Sequence, residues 1–280
     1  MYEIALRRRV VDHLMVALCG LAAAIGVGVL GVLLIHVVVN GVSALTPALI
    51  TSLPTPLGVE GGGIAHAIIG SAIIVGIACV VGIPLGVGAG VYLAEYAGPR
   101  AGALVRFTAD VMTGVPSIVV GIFGFALIVT RTGAFSALAG SFSLAVIAIP
   151  IVARTTEEVF HLVPLELREA SLALGIRRWR TISSVVLPTA SAGVITGAML
   201  ALARMAGETA PLIFTTLGNN FWNVDPTRPT AAMTLTIFQY AIWPYAYLQR
   251  QAWAASLLLL LVILVLNVAV RLTYRSYRGS

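Results

Sequence analysis

The stretch Val163-Pro164-Leu165-Glu166-Leu167-Arg168-Glu169-Ala170-Ser171-Leu172-Ala173-Leu174-Gly175-Ile176-Arg177-Arg178-Trp179 is a polar island in an otherwise apolar chain. Pro164 suits the first turn of a helix and Gly175 the position just past its end, so a helix of about three turns is predicted over 164–174. Glu166 and Glu169 fall near its positive end, where the macrodipole favours carboxylates. A second short helix is predicted over 178–186, stopping before Pro188. On these residues alone the first helix is equally a solvated loop and a rigid knob offered to a soluble partner. What lies on either side decides what it is attached to.

Outward from the island the chain is too apolar to be a soluble domain. Of its 280 residues 59% are hydrophobic and 10% charged, with mean hydropathy +1.00, against roughly 45–50% and about 25% in soluble domains. A helical crossing needs roughly 20 apolar residues, so the chain holds about five to seven. Apolar runs at 14–39, 63–94, 104–130, 135–153, 191–217 and 253–270 give an all-α membrane protein of six spans. The first follows Arg7, Arg8 and Arg9 but is longer than a signal-peptide core of roughly 7–15 residues, and is read as an uncleaved span. The organisation that follows is an N-terminal segment with first span and outer loop (1–62), a five-span core (63–271) containing the polar segment 154–188, and a tail (272–280).

The arginines orient this layout. Arg7, Arg8, Arg9, Arg100, Arg106, Arg154, Arg168, Arg177, Arg178, Arg180, Arg271, Arg275 and Arg278, thirteen in all, fall on one side and Arg131, Arg228 and Arg250 on the other. By the positive-inside rule both termini and the 154–188 segment are cytoplasmic, in the plasma membrane. The net charge of +6 is therefore topological and implies lipid rather than nucleic acid as the partner. All 17 basic residues are arginine, so a phosphate-binding loop of the G-x-x-x-x-G-K-[ST] type is impossible. Energy from ATP must come from another subunit.

Several features read as packing. Cys19 and Cys79 lie in apolar runs as small packing residues, and His36, His66 and His161 are isolated, with no metal site implied. Gly26, Gly28 and Gly31 spell a dinucleotide fingerprint without the strand that would give it meaning. Gly82, Gly86 and Gly90, four apart, make a smooth stripe for a neighbouring helix. Pro84 and Pro116 are expected to kink their spans. Residues 41–62 are expected to form an irregular loop. Phe221, Trp222, Trp243, Tyr245 and Tyr247 form an interfacial aromatic belt, a docking platform, or both.

Arg204 stands inside a span, at a cost of at least about 2.5 kcal/mol, and so must face the bundle interior and meet a partner or an anion. Glu208 is one turn on, on the same face. The pair is either a structural lock or a site for a small oxyanion, which the guanidinium fork matches bidentately. A neighbouring carboxylate suits phosphate better than sulfate, because hydrogen phosphate can donate a proton to it.

Glu169-Ala170-Ser171, Gly175 after three residues, and Val185-Val186-Leu187-Pro188 after nine more resemble the EAA motif of permease subunits of binding-protein-dependent ABC importers, E-A-A-x3-G-x9-I-x-L-P, with Ser171 and Val185 as mild departures. The resemblance covers most of residues 60–270 and implies the six-helix type I importer (MetI-like) fold. In it Pro164, Leu165, Arg168, Glu169, Ala170, Leu174 and Gly175 belong to the coupling helix that meets the ATPase. The stretch Arg204-Met205-Ala206-Gly207-Glu208-Thr209-Ala210-Pro211, with Thr113-Gly114-Val115-Pro116-Ser117 and Leu217-Gly218-Asn219-Asn220-Phe221-Trp222, is similar to high-affinity phosphate ABC importer permeases, more of the PstA than the PstC type. By that resemblance Arg204, Glu208 and Thr209 line the phosphate path of a non-catalytic subunit. Its partners would be a PstC-type permease, a pair of PstB-type ATPases carrying ATP and Mg, and an extracytoplasmic PstS-type phosphate-binding protein; no cofactor binds this chain. Sulfate or molybdate as cargo, or a stand-alone secondary carrier, are the alternatives.

Overall fold

The computed structural model describes residues 2–278, with side chains for residue 8, residues 11–270 and residue 272. The side chains of Arg7, Arg9, Arg271, Arg275 and Arg278, used in the charge argument, lie outside the described residues. The described chain is helical, its β-pairing limited to isolated bridges between Pro54 and Gly62 and between Leu217 and Thr230. Among the described residues five helices are long and apolar enough to cross a membrane, and six if the bent pair 99–114 and 117–132 counts as one span.

Helix α1 (Tyr2–Val42) packs against α13 (Ala246–Arg278). Gly41 permits the closest approach, since a Cβ there would lie 2.8 Å from the Trp253 carbonyl oxygen. Residues 11–30 of α1 are exposed, Cys19 among them, contrary to its expected packing role. An apolar face with no protein neighbour is what a lipid-facing span presents. Residues 41–62 are less irregular than expected. Thr46 caps α2 (Pro47–Thr51) by accepting from the Leu49 amide, and Leu49 is buried beneath it.

The centre is α3 (Ala65–Glu95) against α7 (Ala137–His161), joined along the glycine stripe. A Cβ on Gly86 would lie 2.6 Å from Val152, and one on Gly90 2.5 Å from the Ala153 carbonyl oxygen. Ile74, Ala78, Leu144, Ala148, Val152, Met205 and Leu212 fill the core around this seam. Overpacking a close seam costs typically about 1–3 kcal/mol, so Gly90→Leu is expected to lower the thermal unfolding midpoint in detergent, read by intrinsic fluorescence, whereas Gly88→Leu, with nothing within 4 Å, is expected to leave it unchanged.

Two sequence expectations are corrected. The 104–130 span is more than kinked: α4 (Pro99–Gly114) and the limb 117–132, which opens with α5 (Ser117–Gly124), meet at 101°. Pro116 disfavours helical backbone at the residue before it, and Val115 is accordingly extended (φ −68°, ψ 130°). From α5 the chain continues through a wide turn at Phe125–Val129 into α6 (Thr130–Thr132). Pro84, by contrast, does not interrupt α3.

Second, the helix after the polar island does not stop before Pro188. It runs from α9 (Arg178–Thr181) through a π turn at Ile182–Val186 into α10 (Leu187–Gly207) as one span. The π turn opens the ladder one turn before Pro188, which then lies in the first turn of α10, where its missing N–H costs little. That span ends at Gly207, and after extended Glu208 (φ −76°, ψ 129°) the chain re-forms as α11 (Ala210–Thr215).

The apolar stretch after residue 230, too short to cross a membrane, folds into the core. In α12 (Met233–Ile242) Met233, Leu235 and Tyr240 are buried, and the Met233 amide donates to Ser71 Oγ on α3. Phe221 and Trp222 remain exposed in the loop before it. That loop is ordered by Asp225, whose carboxylate accepts from the Thr227 hydroxyl and amide and is thereby held below the usual carboxylate range.

Candidate functional site

Helix α10 brings Arg204 to the height of the break between α4 and α5. Its guanidinium shares a cavity of about 50 Å³ with Met112, Thr113, Val115, Ser117, Ile147 and Ile151. By the volume a water occupies, this holds a few waters, the scale of a small ion. The Arg204 side chain is 50% exposed and its Nε lies 3.4 Å from Glu208 Oε1, which is 13% exposed. The contact is a loose one, beyond the usual charge-assisted range of about 2.7–2.9 Å. Arg204 is therefore held beside a carboxylate with much of its fork uncommitted.

Glu208 is fixed by the end of the helix. Its extended backbone turns the chain out of α10, and its carbonyl accepts from Thr234 Oγ1 at 2.9 Å, tying the break to α12. Thr209 heads α11 but is not among the residues lining the Arg204 cavity. Below the cavity an apolar surface formed by Met112, Val115, Val119, Val120, Phe123, Val146 and Ile147 continues along α5 and α7. The broken third span thus supplies both a polar rim and an apolar wall.

The polar island folds as a short helix, α8 (Leu165–Ala173). Pro164 precedes its first turn, and Gly175 follows its end at φ +78°, a conformation that favours glycine. Leu165, Glu169, Ala170 and Leu174 are exposed, Leu174 by 80%. Arg168 is not on that surface. Its guanidinium turns inward, ion-paired with buried Glu95 at the end of α3 and donating to the Phe160 carbonyl at 2.6 Å. Arg178 donates to the Glu95 carbonyl and lies over the Tyr96 ring, 5.0 Å from its centre. Ser171 and Thr181, both buried, join α8 to α9 by a hydroxyl–hydroxyl bond of 2.9 Å. The presented face mixes leucine and alanine with the Glu166 and Glu169 carboxylates, and the opposite one is pinned to the spans.

A second ionic group escapes sequence reasoning altogether. Glu157, buried on α7, receives Arg106 from α4 and Arg154 at 2.7 Å, and Arg154 also reaches Asp110 at 3.0 Å. The cluster holds the amphipathic α4 against α7. Arg106 and Arg154 enter the sequence argument only as topology markers. Glu157, three residues after Arg154 on the same helix face, is the signal that could have found it.

Residues 82–279 match the binding-protein-dependent transport system inner membrane component family. The chain is 45% identical to the phosphate transport system permease protein PstA of Yersinia pestis, over 86% of this chain and 82% of that one. It is 40% identical to the protein of the same name from Haemophilus influenzae, over 96% and 95%. Among solved structures, an inward-facing MetNI methionine ABC transporter superposes with TM-score 0.58 at 18% identity, covering 76% of this chain and 94% of that chain; this likeness supports the type I importer fold. Broken spans around a half-exposed cation, with a pinned helix on the polar side, define a multi-pass membrane permease subunit. The chain belongs to the binding-protein-dependent transport system inner membrane component family.

Proposed function

We propose that this chain is the permease subunit of an ATP-driven inorganic phosphate importer, forming half of the translocation path and hydrolysing nothing itself. The observation that carries the proposal is Arg204: a cation at a helix break, open to an ion-sized cavity and only loosely engaged by Glu208. Arginine matches a phosphate bidentately, and Glu208 accepts the proton that hydrogen phosphate carries. The names of the Yersinia and Haemophilus relatives support phosphate as cargo. Weak engagement suits a path, since a tight site would stall release. The other half of the path would come from a second, PstC-type permease, the drive from a pair of PstB-type ATPases holding ATP and Mg, and the cargo from a PstS-type binding protein outside. The exposed face of α8 is the surface offered to the ATPase, and ATP-driven closure would move it with the spans to which it is pinned. The arginine distribution supports both termini on the cytoplasmic side; a reporter enzyme active only outside the cell is expected to be inactive when fused to either end.

Gly175→Pro is expected to abolish the coupling. Proline cannot adopt the positive φ of Gly175 and removes the N–H that donates to the Leu172 carbonyl at 2.9 Å. The ATPase should then co-purify below wild-type ratio or lose stimulation by loaded binding protein. Wild-type association with normal stimulated turnover would contradict a coupling role for α8. Phosphate as cargo is tested by stimulation of the assembled complex with phosphate-loaded against sulfate-loaded binding protein.

A further inference from the structure

Thr113 stands at the rim of the Arg204 cavity with its hydroxyl proton already committed. Its Oγ1 donates to the Asp110 carbonyl oxygen at 2.7 Å, so it presents only lone pairs to whatever enters. Ser117, across the 101° break on the first turn of α5, lines the same cavity. Arg204 can only donate, and Glu208, as a carboxylate, can only accept. We infer that Thr113 is a selectivity residue of the path, an acceptor that reads a proton on the passing anion, with Ser117 as its adaptable neighbour. The inference rests on the phosphate-path reading and extends it to residues of the broken span.

The chemistry follows from the donor count. Arg204 attracts any small oxyanion equally through charge, so by itself it cannot tell phosphate from sulfate. An acceptor placed beside it can. Phosphate near neutral pH carries one or two P–OH groups, and one of them can donate to Thr113 while unprotonated oxygens face Arg204. Sulfate has no proton to give, so its oxygen would meet a lone pair, leaving both unsatisfied. The break at Val115 and Pro116 sets these residues on either side of the cavity rim. In an uninterrupted helix Thr113 and Ser117 would succeed one another along a single face, instead of standing on the two limbs of a sharp bend.

The test must reach the path without the binding protein, which would otherwise filter the anion first. In proteoliposomes holding the whole transporter, phosphate or sulfate placed in the lumen meets the path from the cytoplasmic face. With the wild-type chain, luminal phosphate is expected to slow ATP-driven uptake at about tenfold lower concentration than luminal sulfate, the scale of one hydrogen bond to a charged group. Thr113→Val, nearly the same shape without the oxygen, should narrow the gap between the two concentrations, the remainder being that of Glu208, and lower maximal uptake without moving the half-saturating level of loaded binding protein. Thr113→Ser should keep the discrimination. Equal effects of the two anions on the wild-type transporter, or discrimination intact in Thr113→Val, would overturn the inference. If Arg204→Gln leaves uptake unchanged, the underlying path reading fails. If Arg204→Gln lowers uptake but Thr113→Val keeps its discrimination, only the role of Thr113 falls.

Discussion

Arg204→Gln is expected to lower the initial rate of phosphate uptake by roughly ten- to a hundredfold while the complex assembles at wild-type stoichiometry. The substitution keeps a polar side chain of similar reach but removes the charge and the planar fork. A hydrogen bond to a charged group contributes about 1.5–3 kcal/mol, and the loss of one such contact sets that range. Assembly should be spared because the Arg204 side chain is half exposed beside a small cavity and contributes little to the core. Lysine in its place keeps the charge without the fork, so Arg204→Lys should retain an intermediate rate. Initial rates in proteoliposomes, with size-exclusion profiles of the same preparations, check both halves of the expectation. An unchanged rate in Arg204→Gln would make the pair with Glu208 structural.

Arg168→Ala is expected to separate ATP hydrolysis from transport. Glu95 is 8% exposed, and removing the partner of a buried carboxylate typically costs about 3–5 kcal/mol, because an uncompensated charge is left behind. Here that cost falls on the seam between α8 and the end of α3. The exposed face of α8, the proposed docking surface, is untouched, so ATPase subunits should still bind, but the helix should slip instead of carrying the spans with it. Stimulated ATP turnover per phosphate delivered should rise severalfold, and amide exchange over 165–175 should accelerate. The double variant Glu95→Gln with Arg168→Gln, which leaves no orphaned charge, should recover part of the coupling. A normal ratio of ATP to phosphate in Arg168→Ala would show that the Glu95 pin carries no force.

Most of the architecture is legible in apolar run length, because a bilayer demands a fixed quantity of helix and the arginines between runs mark the polar side. The ends of helices are legible where backbone chemistry is decisive: Gly175 closes α8 as its left-handed conformation requires. What the sequence conceals is how a span behaves around proline. Pro84, Pro116 and Pro188 look alike in an apolar run, yet one lies within an unbroken helix, one divides a span at 101° and one begins a helix after a π turn. The difference lies in the partners each neighbouring carbonyl and amide finds, and those belong to other segments. The same holds for charge. Arg204 and Glu208 are local, one turn apart, and can be read as a pair; Arg168 with Glu95, and Arg106 with Glu157, are 73 and 51 residues apart, so only folding shows which arginines face water and which brace a buried carboxylate. Arg168 therefore moves from the expected docking surface to the pin behind it.

The decisive measurement is uptake of radiolabelled phosphate into proteoliposomes containing this chain, a second permease and the ATPase subunits, with binding protein supplied outside. Accumulation that requires internal ATP and loaded binding protein, and that collapses with Arg204→Gln, is the result expected of half a phosphate path driven through α8. Accumulation of phosphate on an ion gradient without the ATPase, or of sulfate in its place, would contradict it.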